Sequence, residues 1–344
     1  MPRLNIASLK DKVYFIFNCV LHVFCDSSMA YEKGESIKVA EATLKNAGFT
    51  VSQICCSRPS CFDFAARKNH DLIFIKVHPD IDSLSPHDSE ELGAITESVS
   101  GAPLLISKKA RDKPLEDDTV YSRYDTYAVT QRTFENIMLH KVAPLIQAGP
   151  GGYYVEIDCE TVKQRRQELG LSVGELAKLV GISRRTLYGY ERGMGKASVA
   201  AAYNMIYTLG VPVARPVNVL EKTGKRHKCY ILATAKRVIV RNKLINRLFR
   251  KFGNHNMTTV KKAPFDFIAA FPEEKARIIG GVVVGDELEL DRRIDEILSI
   301  SRLIEAYPIL ITDGPKPTDK DILCLRTEEI ARIKQPADLL LNVM

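Results

Sequence analysis

The same order of secondary structure is predicted twice in this chain, once before and once after a central basic segment. In each copy, hydrophobic periodicity indicates a helix, three short strands, a second helix and a further strand. Asp63 and Asp266 each stand between two phenylalanines, and 203 residues separate them. Each copy also opens its last helix at an Arg-Thr pair, beginning at Arg132 in the first and Arg326 in the second. The pattern predicts an internal duplication of an α/β domain.

The repeat suggests three domains, which a chain of 344 residues can accommodate. We expect an N-terminal α/β domain over residues 1–148, a central domain over 149–215 and a C-terminal copy of the first domain over 216–344. Residues 1–28 differ in pattern from the rest of the first domain and form an atypical extension. The glycine-rich stretch 149–152 at the first boundary is a hinge by composition.

Charge is distributed unevenly along the chain, whose formal net charge is +7. Residues 151–262 carry 22 basic and 7 acidic side chains, whereas the rest of the chain carries 27 basic and 35 acidic ones. A basic middle between acidic ends predicts a module that binds a polyanion. Residues 216–262 alone hold 13 basic side chains and include a predicted helix from Ala235 to Phe252. This segment either extends the phosphate-binding surface or is a solvated face.

Residues 161–209 show the start and stop signals of four short helices. Ser172 caps the second helix and begins a Ser-x-x-Glu capping box. Gly181 makes the tight turn to the third helix, where glycine permits a positive φ, and Ser183 caps that helix. Gly210 ends the fourth. Two helices joined by a glycine-containing turn, the second of them cationic, are typical of a helix-turn-helix.

The segment GLSVGELAKLVGISRRTLYGYERG, residues 170–193, strongly resembles the Cro/CI-repressor (XRE-type) family, and the likeness covers residues 162–211. The residues that match the family pattern are Leu176, Ala177, Gly181, Ile182, Ser183, Leu187, Tyr190, Glu191 and Gly193. The resemblance implies an all-α central domain whose third helix, 183–192, enters the major groove of double-stranded DNA.

The expected DNA contacts are set by position on the third helix. Arg184 and Arg185 lie at its start, where a guanidinium can reach O6 and N7 of guanine. Ser183 and Arg192 are placed for phosphates, and Tyr188 for the backbone or a thymine methyl group. The full set of predicted DNA-binding residues is Ser172, Ser183, Arg184, Arg185, Thr186, Tyr188, Gly189, Arg192 and Lys196.

Two positions depart from the family pattern. Val173 stands where many relatives have a phosphate-binding glutamine, and Gly189 where a base-reading side chain is usual. We therefore expect fewer direct contacts between side chains and bases than in phage repressors. The alternative interpretation is that Arg184 and Arg185 form a solvated helix face and that the helical module binds protein as an adaptor.

The flanking repeats look like the PD-(D/E)xK nuclease fold, with Asp63 on one central strand, Lys76 on the next and Glu41 as a candidate third acid. Phe74 occupies the place of a metal-binding glutamate, and residues 280–284 offer the second copy neither an acid nor a lysine. We therefore expect two degenerate, restriction-endonuclease-like domains that act as scaffolds for dimerisation or sensing, and no enzyme activity. A DNA nuclease or resolvase with an Asp63/Lys76 active site remains the alternative.

The whole order resembles the archaeal HTH-type transcriptional regulatory proteins across about residues 30–344. Four segments carry the likeness: RPSCFDF at 58–64, GPGGYYVEID at 149–158, SRRTLYGYERGM at 183–194 and APFDFIA at 263–269. The resemblance implies a cytoplasmic, nucleoid-associated DNA-binding regulator. We expect a sequence-specific homodimer on a pseudo-palindromic site, with the transcription machinery as a further partner and without a cofactor or metal.

Two further features point to an intracellular protein. Of the eight cysteines, only Cys55, Cys56 and Cys61 cluster, and no C-x-x-C pair occurs. Because no second cluster accompanies them, reduced cysteines beside a strand end are favoured over a metal or redox site. No apolar run reaches the ~18–20 residues of a membrane span; the longest covers residues 13–24 and is interrupted by polar residues. No membrane partner is expected.

Overall fold

The computed structural model describes residues 33–220, 257–271, 275–283, 287–312, 320, 322–326 and 328–329. The expected extension 1–28 and the basic helix predicted from Ala235 to Phe252 lie outside these residues, as does the helix predicted from Thr327 except for Glu328 and Glu329, which are helical. Within the described residues, no helix is both long and apolar enough to cross a membrane.

The N-terminal domain is a mixed sheet with helices on its faces. Its helices are α1 (33–46), α2 (Pro86–Val99) and α3 (Gln131–His140). Its strands are β1 (Thr50–Val51), β2 (Phe64–Lys68), β3 (Asp71–Val77), β4 (Ala102–Ile106), β5 (Lys109–Ala110), β6 (Lys113–Pro114), β7 (Thr119–Arg123) and β8 (Thr126–Val129).

The sheet runs in the order β1-β2-β3-β4-β8-β7, with β5 and β6 as a separate ribbon. The pairs β1–β2 and β2–β3 are antiparallel, and β3–β4 and β4–β8 are parallel. Helix α2 makes the crossover that the parallel pair β3–β4 requires. Asp63 lies one residue before β2 and not on a strand as predicted, but it does lie next to the β3 residue Lys76, as the sequence predicts.

Local signals alone set the ends of α2. The hydroxyl of Ser85 accepts a hydrogen bond from the backbone N–H of Asp88 at 3.1 Å, and Pro86 occupies the first turn. Ser100 ends the helix in a left-handed conformation with φ 57°. The sequence predicts a helix over about 86–99, and this prediction is confirmed.

The C-terminal region has the same topology. Within its described residues, the long helix is α8 (Leu290–Ile304), and the strands, in sheet order, are β13 (Met257–Thr259), β14 (Phe267–Phe271), β15 (Ala276–Val283), β16 (Tyr307–Thr312) and β17 (Leu323–Arg326). Again two antiparallel pairs are followed by two parallel ones, with the helix between the parallel partners. The predicted duplication is thus visible in the fold.

The two copies share one hydrophobic core. The rings of Phe62 and Phe265 lie 6.3 Å apart between centroids, in a cluster that also contains Leu92 of α2 and Ile297 of α8. All four side chains are fully buried. Because each copy contributes apolar side chains to this cluster, neither domain would keep its buried surface if the other were removed.

Two buried glutamates connect the copies reciprocally. On α2, one carboxylate oxygen of Glu91 accepts the backbone N–H groups of Lys261 (3.2 Å) and Lys262 (2.8 Å) from the second copy. On α8, one oxygen of Glu296 accepts those of Cys56 (2.8 Å) and Ser57 (2.9 Å) from the first. Corresponding residues are 205 positions apart in every case. The duplicated domains are therefore arranged as an internal pseudo-dimer.

The central domain consists of four helices and short strands. The helices are α4 (Cys159–Glu168), α5 (Val173–Val180), α6 (Arg184–Tyr190) and α7 (Val199–Leu209). The strands, which the expectation of an all-α domain did not include, are β9 (Ile146–Gly149), β10 (Gly152–Ile157), β11 (Ala197–Ser198) and β12 (Ala214–Arg215).

The glycine-rich stretch 149–152 is a hairpin turn, and the interpretation as an interdomain hinge is wrong. Gly149 and Gly152 pair across the turn between β9 and β10, and Gly151 takes a φ of 87° that favours glycine. Strand β9 also pairs in parallel with β7 of the N-terminal domain. One continuous sheet therefore runs from the first domain into the helical one.

Candidate nucleic-acid interface

Helix α6 begins and ends at residues whose local chemistry fixes it. The hydroxyl of Ser183 accepts the backbone N–H of Thr186 at 3.0 Å and lies 2.8 Å from the Thr186 hydroxyl. Gly181, with φ 79°, makes the turn from α5. Leu187 is fully buried and anchors the helix against the core of the domain. The predicted caps and the predicted turn are confirmed.

The outer face of α6 carries the cations that the sequence predicts. Arg184, Arg185 and Tyr188 are exposed. Among the described residues, neither arginine forms an ion pair, so both guanidinium groups are free to meet an anion. The guanidinium of Arg192 lies over the ring of Tyr188, 4.6 Å from its centroid, which orients both side chains. Gly189 is half-buried and adds no side chain to this face.

The remaining predicted contacts lie on either side of α6. Ser172 caps α5: its hydroxyl accepts the N–H of Glu175 at 3.2 Å, and the Glu175 carboxylate accepts the N–H of Ser172 at 2.8 Å. This is the predicted capping box. Lys196 is exposed and hydrogen-bonds to the side-chain oxygen of Gln147 on β9. Val173 packs against the domain core, which accounts for an apolar residue there.

A buried ion pair holds α4 against the end of α6. Arg166 donates to both carboxylate oxygens of Glu191, at 2.5 and 2.9 Å, and to the carbonyl oxygen of Leu171 at 2.9 Å. The hydrogen bond to Glu191 raises the pKa of Arg166 above its ordinary value. Glu191 matches the family pattern, but the sequence alone gives it no function. Its structural function is to neutralise a largely buried guanidinium.

One surface of α7 was not anticipated. Tyr203 and Tyr207 are 68% and 82% exposed, and Val199 and Ile206 are also exposed on this helix. The opposite side of α7 packs into the core through Ala202, Met205 and Leu209. Apart from Asn204 and Thr208, the side chains of α7 are apolar or aromatic, a signal that the sequence offers, and exposed side chains of this kind grouped on one helix are typical of an interaction surface.

In the first repeat, the structure brings Asp63 and Lys76 together but not Glu41. One oxygen of Asp63 accepts the backbone N–H of Val77 at 2.7 Å, and the other lies 3.4 Å from Nζ of Lys76. Glu41 pairs with Lys45 one turn away on α1. Phe74 is buried edge-on against Phe62, so the place of the second metal-binding carboxylate is an apolar one.

In the second repeat, an arginine occupies the corresponding centre. Asp266 accepts the backbone N–H of Val282 at 2.6 Å, as Asp63 does from Val77. The fully buried guanidinium of Arg293 contacts Asp266 at 2.6 Å and Glu287 at 2.7 Å. Arg58 of the first repeat pairs with the same two carboxylates, so two fixed guanidinium groups balance their charge.

The cysteine cluster shows no metal-binding arrangement. Among the residues that the structure describes, no group of three His, Cys, Asp or Glu side chains could hold a metal ion. Cys55 and Cys61 are buried free thiols, and burial raises the pKa of both well above the ordinary value. Thiols in this state are poor ligands and nucleophiles.

Helix α6 is the second helix of the helix-turn-helix, carries two exposed arginines, and is held on a duplicated nuclease-like scaffold. These features define a helix-turn-helix protein of the DNA-binding class. Family models agree with this division. A PD-(D/E)XK superfamily domain matches residues 33–144, and a helix-turn-helix matches residues 162–215.

Relatives match most of the chain. A protein of Methanocella arvoryzae named "Putative HTH-type transcriptional regulatory protein" is 32% identical over 303 residues, which is 87% of this chain and 92% of that protein. A protein of the same name from Methanococcoides burtonii is 30% identical over 305 residues, with 86% and 92% covered. The chain belongs to this family of archaeal HTH-type transcriptional regulatory proteins.

A solved structure of a SinR protein/SinI protein complex is also similar. It covers 27% of this chain and 91% of its own, with 23% identity and a TM-score of 0.16.

Proposed function

We propose that this protein is a sequence-specific transcriptional regulator that places residues 183–192 in the major groove of DNA. The observation that carries the proposal is the pair Arg184 and Arg185. Both project from the first turn of a capped helix, and both are exposed and free of ion pairs within the described residues. Arginine at this position of a recognition helix reads guanine through two parallel hydrogen bonds.

The other predicted residues divide by the contacts that they support. Tyr188 and Arg192 stack on each other at the outer face of α6, where a guanidinium reaches a phosphate. Ser172 and Ser183 are exposed and accept helix N–H groups through their oxygens, so a phosphate oxygen would take each hydroxyl hydrogen in place of the local partner, Glu175 or Thr186. Lys196 is exposed beside them. Thr186 hydrogen-bonds to Ser183 at the start of α6, and Gly189 has no side chain, so in this proposal neither reaches the DNA as far as the arginines do.

The protein acts as a homodimer in this proposal, because one short helix reads too few base pairs to select an operator. The exposed aromatic surface of α7 supports it, since Tyr203 and Tyr207 offer a second copy a large apolar contact on a helix that packs against α4 and α5 of the same domain. Pairing there would hold two recognition helices in one unit, suited to half-sites about one turn of DNA apart. Contacts with the transcription machinery belong to the same proposal.

We further propose that neither repeat cleaves DNA. Lys33 and Lys76 both contact the same oxygen of Asp63, at 3.0 and 3.4 Å, so ammonium groups stand where a metal ion would bind. In the second repeat Arg293 does the same at Asp266. The test is incubation of operator and non-operator duplexes with Mg²⁺. Cleavage by the wild type that Asp63→Ala abolishes would establish the nuclease alternative instead.

The regulator proposal is tested by selection of genomic fragments with the purified full chain. We expect a two-fold symmetric motif for the wild type and none for the double variant Arg184→Ala/Arg185→Ala. A matched control, Arg132→Ala/Lys163→Ala, removes the same charge from exposed positions outside α5 and α6 and is expected to keep the motif. DNA binding that shows no dependence on salt concentration, or no motif from the wild type, would favour the protein adaptor.

A further inference from the structure

A polar cavity of about 520 Å³ lies at Asp63, between the first repeat and a loop of the second. This volume is in the range of small-molecule sites. Its charged lining residues are Lys33, Arg58, Asp63, Lys76, Asp88 and Lys262. Lys262 comes from the second repeat, so the complete lining exists only in the internal pseudo-dimer.

The cations of this Asp63 cavity outnumber its anions. Lys33 and Lys76 share one oxygen of Asp63, and Lys76 also donates to the carbonyl oxygen of Ser60 at 2.6 Å. Lys262 pairs with Asp88 at 2.5 Å. One ammonium charge therefore has no carboxylate of its own inside the cavity. Since Lys76 is 13% exposed, its charge is poorly solvated and an incoming anion would be attracted.

The other charged groups keep this balance. Arg58 lines the cavity, but its guanidinium is paired with two carboxylates of the second repeat, Asp266 at 3.0 Å and Glu287 at 3.1 Å. Burial opposes ionisation of Asp88, but hydrogen bonds from Lys262 and Ser85 lower its pKa below the ordinary value, so it is charged and occupied. Burial and the charges of Lys33 and Lys76 lower the pKa of neighbouring His78, as a positive potential does.

The second repeat shows that the cavity is a particular feature of the first. Arg293 is the counterpart of Asp88, because the corresponding residues of the two repeats are 205 positions apart here as at the reciprocal glutamates. In the second repeat the long Arg293 side chain fills the centre and donates to the carbonyl oxygen of Pro264 at 2.6 Å. In the first, the short Asp88 side chain pairs at the wall with Lys262. The side chain of Arg293 therefore fills this place in the second repeat, whereas the first repeat has an open, cationic cavity there.

We propose that the Asp63 cavity binds a small phosphate-bearing molecule, with Lys33 and Lys76 holding its phosphate group and Lys262 closing the site from the second repeat. Two ammonium groups, each with three donors, suit a tetrahedral dianion. A divalent cation is disfavoured because the same ammonium groups occupy its carboxylate. A ligand that contacts both repeats would stabilise their packing, and, if the proposed regulator function holds, this site would be its sensing element.

The test is calorimetric titration of the full chain with inorganic pyrophosphate in the absence of DNA, so its result is independent of the proposed DNA-binding function. We expect saturable binding at one site per chain, weakened at least tenfold in Lys76→Met and in Lys33→Met. Lys45→Met on the same helix, 59% exposed and outside the cavity, is expected to bind as the wild type does. Lys262→Met provides a second variant, chosen from the cavity rim, should the others fold poorly.

Four results would overturn the proposal. The first is the absence of saturable heat with correctly folded wild-type protein. The second is binding that Lys33→Met, Lys76→Met and Lys262→Met leave unchanged. The third is equal competition by sulfate at matched ionic strength, which would indicate an adventitious ion only. Displacement of bound pyrophosphate by a non-operator duplex would assign the site to the DNA backbone instead of a small molecule.

Discussion

At the residue scale, the buried ion pair Arg166–Glu191 stabilises the position of α6 against α4. The side chains are 11% and 7% exposed, and the guanidinium has no alternative acceptor of equal charge among its described contacts. Removing one partner of such a pair leaves an uncompensated charge, whose cost exceeds the net contribution of the intact pair.

We predict that Glu191→Ala lowers the free energy of opening of the helical domain by about 3 kcal/mol, because Arg166 is left buried and unpaired. Hydrogen exchange of the amides in α4 to α6 measures this opening. Glu168→Ala, which removes the exposed partner of Arg165, is the matched control and is expected to change exchange little. Equal protection in both variants would contradict the prediction.

Gly280 on β15 is a second position where the residue type is constrained, because the ring of Phe267 lies directly over it. It faces Phe267 in the register of β14 and β15, and a Cβ added to it would lie 2.0 Å from the ring. The corresponding pair in the first repeat is Ile75 opposite Phe64. The two sheets therefore differ at this position: the first has the Ile75 side chain, and the second has a glycine that leaves room for the Phe267 ring.

We predict that Gly280→Ala destabilises the protein by about 1–3 kcal/mol through overpacking. Urea unfolding measures the change. The double variant Gly280→Ala/Phe267→Leu is expected to recover part of the loss, because the smaller side chain leaves room for the methyl group. Additive losses in the double variant would show that the close approach is not the cause.

At the scale of elements, α2 and α8 each hold a loop of the opposite repeat through one glutamate. Glu296 is fully buried, and besides two backbone N–H groups it accepts the hydroxyl of Ser57 at 2.5 Å. Three donors would lose their acceptor together if this side chain were truncated. Unsatisfied buried donors each cost free energy, so the effect is concentrated at the contact between repeats.

We predict that Glu296→Ala lowers stability by about 2–3 kcal/mol and increases proteolysis of the 55–60 loop, whereas Glu296→Gln, which keeps one carbonyl acceptor, has a smaller effect. Limited proteolysis and thermal melting are the measurements. Glu289→Ala on the exposed start of α8 is the control. Cleavage spread evenly over the chain would argue against a local contact between repeats.

Among the elements, the sequence predicts the ends of helices but not the contacts between the two repeats. Helix ends are predictable because their signals are local: Ser85, Ser172 and Ser183 each cap the helix that comes after them. The approach of Asp63 and Lys76 results from adjacent strands. The contacts of Glu91 and Glu296 could not be derived in this way, because their partners are 170 and 240 residues distant.

At the scale of the whole molecule, the helix-turn-helix is fixed to its scaffold by the shared sheet. Strand β9 pairs with β7 on one side and β10 on the other, so helix α6 has a defined orientation to the repeats. Such an arrangement suits an assembly in which two whole chains present two helices at a fixed separation.

We predict that Tyr203→Ser/Tyr207→Ser yields a monomer, because it removes the large exposed apolar surface of α7. Sedimentation equilibrium measures the state, and circular dichroism checks that the fold is kept. The control Tyr153→Ser removes an aromatic side chain that is 39% exposed and lies outside α7. A dimer that survives the double substitution would move the interface away from α7.

The most direct test of the central claim compares the affinity of wild type and Arg184→Ala for a selected operator and for a scrambled duplex at one salt concentration. Loss of a bidentate contact to guanine costs about 1–3 kcal/mol of discrimination, so we predict that the operator-to-scrambled ratio falls by at least about fivefold. Arg192→Ala, a phosphate contact, should weaken both complexes equally. An unchanged ratio in Arg184→Ala would contradict base reading by α6.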